Sequence, residues 1–346
     1  MARSAALIVA TLSITAFAAQ PDSDWSWNLP KGFPIPPVPA DNPMTAAKVE
    51  LGRYLFYDTR MSVNGKQSCA TCHQQNLAFT DGRAVAVGTT GENHPRSAMS
   101  LVNIAYAGAL TWTNPELNKL EDQALIPMYG DHPVELGLRE GDGFLAMLRA
   151  DARYATLFAR AFPAGAGRFT VSNVTKAIAC FERTIISARS PYDRYHYDRD
   201  DSAVSESAKR GEILFFNQHL ACFRCHGGFN FSDSTVTARN AGRPVEFHNT
   251  GVTETQAGLG KFKTPTLRNI ALTAPYMHDG SIPTLDAVLD HYSAGGRAHD
   301  NPNKDPLIAG FTVSPQDRAD LIAFLNTLSD DELLHDARFA NPWPKK

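Results

Sequence analysis

The chain has little of what marks a protein of nucleic acids or membranes. Its 33 Lys and Arg fall short of its 36 Asp and Glu, for a formal net charge of -3, and the basic residues are scattered. Without a clustered basic surface there is no electrostatic footprint for nucleic acid or an anionic membrane. Beyond its first residues the chain has no apolar run near the ~20 residues a bilayer span requires, so no membrane span is expected in the mature form. Strand signals are sparse. Cysteines number only five, and their spacing does not suggest a disulfide framework. Disorder is excluded by a hydrophobic content of 43%. The 346 residues leave room for two domains at roughly 100–200 residues each.

The N-terminus reads as a secretory signal: Arg3 gives a positive start, an apolar stretch runs from Ala5 to Ala18, and Ala16-Phe17-Ala18 fits the small-residue cleavage rule. Cleavage after Ala18 is expected, giving a signal peptide over 1–18 and an exported, periplasmic protein. An uncleaved anchor is the alternative, but the run is short and the polar stretch Gln20 to Asp24 closes it. Residues 19–44 contain a Pro-rich segment, Leu29 to Pro43, that reads as an extended strap.

Apolar positions at helical spacing begin near Thr45. The run Ala46 to Tyr57 resembles Ala208 to Phe216, aligning Gly52 on Gly211 and Leu55-Phe56-Tyr57 on Leu214-Phe215-Phe216. Each run shortly precedes a Cys-x-x-Cys-His, so the chain contains an internal duplication of a helix followed by that motif. Closing helices are expected over Val171 to Ser187 and over Ser314 to Leu328, the latter with Ser314, Pro315 and Asp317 as start signals. Long segments rich in Gly, Thr and Asn, Asp81 to Pro95 and Gly227 to Lys263, are expected to be irregular and functional. The expected fold is mainly α, two cytochrome-c-like haem domains (45–195 and 196–346) with long irregular loops, meeting near Ser190 to Ser205.

Cys69, Cys72 and His73 form one motif, and Cys222, Cys225 and His226 the other. Covalent haem attachment needs two thiols to add to two vinyl groups and an imidazole immediately beyond them as iron ligand, which this spacing supplies in one turn of chain. A zinc knuckle or a disulfide pair is the structural alternative. Cys180 lies on the apolar face of the Val171 helix with Ile178, Phe181 and Ile185, and reads as a buried, inert thiol. Two covalently bound haems c are expected, and their sixth ligands decide the function.

The sequence resembles the bacterial di-haem cytochrome c peroxidase and MauG superfamily over nearly all of its mature length. The residues that carry the resemblance are Ser68 to His73, Thr111-Trp112-Thr113, His132 to Gly137, Ser190 to Tyr195, Lys263 to Asn269 and Ala274 to Gly280. In the peroxidases the segment after this last run supplies a Met to the second haem. Here the alignment brings Tyr292 to that position, and His291 to Gly296 contains no Met, as in MauG-like enzymes including the MbnH branch. A phenolate is a hard anionic donor, whereas a thioether raises the potential, so Tyr ligation favours oxidised iron. An aromatic packed on the haem edge is the alternative for Tyr292, and Met277, His278 and His291 are rival ligands.

The resemblance implies further roles. Glu135 matches the distal carboxylate that handles protons at the first haem, where the face opposite His73 is open to peroxide. His94 sits where peroxidases hold a displaceable His, but its spacing from Arg96 is shorter, which favours a surface or supporting role. Trp112 matches the tryptophan between the haems, an electron relay or else ordinary core. Thr273 and Pro275 match carbonyl ligands of an interdomain calcium ion, with Ser97 at the position of the family's Asn ligand. Leu220 replaces a MauG tryptophan near the second haem.

The implied function is a peroxidase-class enzyme that uses hydrogen peroxide to reach a high-valent di-haem state and oxidises a residue of a periplasmic partner protein. In the MbnH branch this converts tryptophan to kynurenine on a copper-binding partner, and in MauG it is another tryptophan modification. The alternatives are a peroxidase fed by a small cytochrome or cupredoxin as electron donor, and a non-catalytic di-haem electron carrier.

Overall fold

Thr45 accepts the Lys48 backbone N–H on its hydroxyl and so starts the first helix, α1 (Ala46–Tyr57), at the point where the apolar spacing begins. The computed structural model describes residues 25–141, 143–163, 167–252, 260–297 and 301–344. The signal peptide and the first residues of the strap lie outside them. In chain order the other helices are α2 (Cys69–Cys72), α3 (Leu120–Gln123), α4 (Leu125–Tyr129), α5 (Phe144–Ala150), α6 (Ala152–Ala161), α7 (Val171–Arg183), α8 (Pro191–Asp198), α9 (Glu206–Phe215), α10 (Leu285–Ser293) and α11 (Pro315–Asn326). Among the described residues the only sheet pairs β1 (Phe247–His248) antiparallel with β2 (Phe262–Lys263). The fold is mainly α, with long irregular connections.

Two cores follow the duplication. In the first, Leu51, Leu55 and Phe56 of α1 meet Ile178 and Phe181 of α7. In the second, Phe215 of α9 meets Leu321 and Phe324 of α11, with Phe231 and Tyr192 added. Each helix pair crosses at a glycine: a Cβ on Gly52 would overlap the Ala177 carbonyl, and one on Gly211 the Asp320 carbonyl. Gly52→Ala and Gly211→Ala are each expected to destabilise the protein by ~1–3 kcal/mol, the usual range for overpacking, measurable by denaturant unfolding. A neutral result at either site would mean that the crossing is looser than described.

The repeat extends to the loops. Asn103 and Asn269 both adopt left-handed backbone, with φ of 55° and 62°. Asn103 donates its N–H to the Ile185 carbonyl and Asn269 its N–H to Leu328, just beyond α7 and α11 respectively. Asp330 Oδ2 accepts from Ser187 Oγ and from the N–H groups of Ala188 and Arg189, tying the end of the second core to the connection between the halves. The expected Val171 helix therefore stops at Arg183: the Ile185 carbonyl and the N–H of Ser187 bond to Asn103, and the N–H groups of Ala188 and Arg189 to Asp330, instead of continuing the turn. The C-terminal segment turns back: Leu333 and Phe339 belong to the first core and Trp343 packs on Tyr54. The end of the 196–346 half thus packs on the core of the 45–195 half. No described helix is long and apolar enough to cross a membrane.

Candidate haem sites

Both Cys-x-x-Cys-His motifs fold into one tight turn. In α2 the Ser68 N–H donates to Thr71 Oγ1 at 3.0 Å, and the His73 N–H closes the turn on the Cys69 carbonyl at 3.0 Å. At the second site a 3₁₀ turn over Cys222–Arg224 brings the His226 N–H to the Cys222 carbonyl at 2.9 Å. His73 Nδ1 lies 3.1 Å from the Phe79 carbonyl and His226 Nδ1 3.1 Å from the Phe231 carbonyl. Phe79 and Phe231 both adopt positive φ, which turns each carbonyl back to its imidazole. A carbonyl on Nδ1 fixes the proton there and leaves Nε2 as the lone-pair donor, as a metal-binding histidine requires.

None of the five cysteines is bonded to another, which removes the disulfide reading. Burial pushes the thiols up, Cys72 and Cys225 to about 12 and Cys222 to about 11, with Cys69 raised further. Without a metal beside them they are therefore protonated thiols. Cys225, Asp233 and His248 do bring ligand atoms within 4.8 Å of one another, but His248 is already bonded on both ring nitrogens. Paired thiols beside an imidazole with a free Nε2, each facing a cavity, fit covalently attached haem. Cys180 is fully buried, its Sγ 3.6 Å from Asn42 Oδ1, and burial raises it to about 11.

Glu135 shares a cavity with Cys69, Cys72 and His73. The loop that carries it is pinned by hydrogen bonds from Thr89 to the Glu135 carbonyl at 2.9 Å and from Val63 to the Leu136 carbonyl at 2.9 Å. Burial pushes the Glu135 carboxyl up to about 7, so acid and base forms coexist near neutrality. His94 Nε2 stands 3.9 Å from Glu135 Oε1, too far for a direct hydrogen bond, and burial lowers the His94 pKa. Sequence reasoning missed two other groups on this wall, Gln123 and Glu182. Glu182 is 5% exposed, one carboxylate oxygen lacks a hydrogen-bond partner, and burial raises it to about 8. Neither residue carries a motif that would have singled it out.

Tyr292, on α10, lines the second cavity together with Cys222, Cys225 and His226. Burial drives its phenol pKa up. Its ring touches His291 edge-on, and no hydrogen bond to its hydroxyl is found among the described residues. His291 Nε2 lies 2.8 Å from the Thr250 carbonyl. His278 stacks on Phe262 at 3.8 Å between centroids. Met277 lines this cavity and a smaller one at the seam between the cores, and Leu220 lines this one. Trp112 also borders both, its Nε1 donating to the Ser97 carbonyl at 3.1 Å. Ser97, Thr273 and Pro275 line the seam cavity together, and Ser97 Oγ donates to the Met277 carbonyl at 3.2 Å.

His248 sits at the edge of the second cavity between two carboxylates, Nδ1 2.6 Å from Asp305 and Nε2 2.8 Å from Asp233. The hydrogen bond to Asp233 leads in raising its pKa to about 9, against the opposing effect of burial. Its stabilising effect is full below the ordinary histidine value near 6.5 and is lost as pH rises through about 9. The melting temperature should therefore fall across that window, and His248→Gln should flatten the fall. An identical slope in the variant would remove His248 as its source.

The family profile described as di-haem cytochrome c peroxidase matches residues 46–202, and one described as RoxA-like, cytochrome c-like matches 261–294. The chain is 33% identical to the methylamine utilization protein MauG of Methylophilus methylotrophus, covering 94% of this chain and 95% of that protein. It is 34% identical to the cytochrome-c peroxidase IdrP1 of Denitromonas iodatirespirans, covering 96% and 94%. Among solved structures, a MauG-like protein associated with microbial copper homeostasis superposes with a TM-score of 0.88 at 41% identity, covering 92% of this chain and all of that one.

Proposed function

We propose, from the premise that this chain belongs to the di-haem cytochrome c peroxidase and MauG family, that it uses hydrogen peroxide to oxidise a residue of an exported partner protein. The family makes it a peroxide-dependent di-haem oxidoreductase. The observation that carries the finer reading is Tyr292, which lines one cavity with His226 and which the family resemblance aligns with the methionine of the peroxidases. When bound, the two haems supply the peroxide-cleaving and electron-storing chemistry.

The chain's own residues divide the remaining work. Cys69 and Cys72, with His73, would hold the first haem, and Cys222 and Cys225, with His226 and Tyr292, the second. Each peroxide takes up two electrons and two protons to leave two waters, and the protons pass through Glu135. Its pKa near 7 suits a group that must take a proton from peroxide and return it to the leaving oxygen. Trp112, on the wall shared by the seam and second cavities, divides electron transfer between the halves into shorter steps. Ser97, Thr273 and Pro275 offer neutral oxygens at the seam, a donor set that calcium accepts.

The solved relative associated with copper homeostasis supports a partner that binds copper, and a tryptophan-to-kynurenine conversion on it is the MbnH-like outcome. Export to the periplasm belongs to the same reading. Incubation with peroxide and an exported copper-binding protein should produce an oxidised tryptophan by mass spectrometry. If the partner stays unchanged while a reduced small cytochrome is rapidly oxidised, the peroxidase reading replaces this one. The similarity to cytochrome-c peroxidase IdrP1 keeps that reading specific.

A further inference from the structure

Lys263, on β2, is 7% exposed and lines both the second cavity and the seam cavity. No hydrogen-bond acceptor for its ammonium is found among the described residues. Its backbone N–H donates to the Trp112 carbonyl at 3.0 Å, so its place beside the tryptophan is fixed. The other buried cations on these walls are already paired: Arg268 forms two 2.9 Å hydrogen bonds to Asp193, and His248 is held between Asp233 and Asp305. A buried charge is costly unless it is paired, and Lys263 faces a space that a haem fills. A haem brings two carboxylates at one edge of its ring.

We propose that Lys263 is the counter-cation of the second haem: its ammonium pairs with a propionate at the seam beside Trp112 and raises that haem's reduction potential. The inference rests on the assignment of a haem to Cys222, Cys225 and His226. Lowering of the Lys263 pKa to about 8 by burial, with Asp233 acting in the opposite direction, accords with a cation lacking an acceptor. The rival partner is Asp233, whose Oδ1 is buried without a hydrogen bond. Asp233 is already engaged through Oδ2 with His248 at 2.8 Å, however, and its negative charge is offset there. Lys263 is thus a positioning residue, acting through the charge of the haem edge and not on peroxide.

The test is a spectroelectrochemical titration of the holoprotein, wild type against Lys263→Gln and Lys263→Arg, with haems counted first. With two haems in place, Lys263→Gln should shift the ferrous–ferric balance of the second haem toward ferric by roughly ten-fold or more. That is the scale of one charge acting over a few ångströms in a half-buried site. The first haem should move less, Lys263→Arg should titrate like the wild type, and the propionate bands in resonance Raman spectra should shift in Lys263→Gln alone. Unchanged potentials in Lys263→Gln, a larger shift at the first haem, or an Arg variant that behaves like Gln would each overturn the proposal. Loss of the effect in an Asp233→Asn background would assign the pairing to Asp233 and overturn it too. A wild-type haem count below two would instead strike the haem assignment itself, so the two failures are distinguishable.

Discussion

Glu135→Gln is expected to slow the reaction with hydrogen peroxide by ~10²–10⁴-fold, the usual loss on removing a general acid–base group. The amide fills the same space and keeps the loop bonds from Thr89 and Val63, which run to backbone carbonyls, so both resting spectra should stay close to wild type. The pH profile provides a second readout. With a carboxyl near 7, the wild-type rate should change across neutrality, whereas the variant should lose that inflection. Stopped-flow mixing over a pH series measures both quantities. A rate unchanged in the variant removes Glu135 from the proton path and passes the role to Glu182 or Gln123, which share its cavity.

Tyr292→Met carries the second large effect. A neutral, soft thioether in place of an anionic oxygen favours the reduced metal, so the second haem's potential should rise well above that of the wild type. The fully oxidised variant should then lose most of its reaction with peroxide and regain it after partial reduction. Tyr292→Phe separates ligation from packing: it keeps the ring against His291 and removes only the hydroxyl. If Tyr292→Phe leaves potential and spectrum unaltered, the phenol is a wall of the cavity and not a ligand.

The parts of the fold written contiguously were legible in the sequence. The Cys-x-x-Cys-His turns need only adjacent residues, α1 and α9 announce themselves through matching apolar spacing, and α11 through Ser314, whose hydroxyl accepts a first-turn N–H. The alignment of Gly52 with Gly211 gained its meaning only from the structure, where each relieves a helix crossing. The matching asparagines, Asn103 and Asn269, passed unnoticed because their work is a backbone bond to a distant carbonyl. For the same reason α7 ended early: what stops it is Asn103 and Asp330, remote in sequence.

The charged groups around the cavities were the least legible. His248 and Lys263 sit on the two-residue strands β1 and β2, Asp233 and Asp305 on irregular chain and Glu182 near the end of α7, and no periodicity marks them as charged groups of one site. Tyr292 and the run that begins at Lys263 were reached by resemblance, whereas His248 and Glu182 were reached only by geometry. The C-terminal return, Phe339 into the first core and Trp343 onto Tyr54, likewise depends on a path that local pattern does not encode.

The central claim is that the second site is held by His226 and Tyr292, so that the oxidised protein is already competent. Electron paramagnetic resonance of the resting, fully oxidised wild type, followed by titration with hydrogen peroxide and no reductant, tests it most directly. The account predicts one low-spin His–Tyr signal beside one high-spin five-coordinate signal, and immediate reaction with peroxide. A His–Met signal, or a protein inert to peroxide until one haem is reduced, would contradict it.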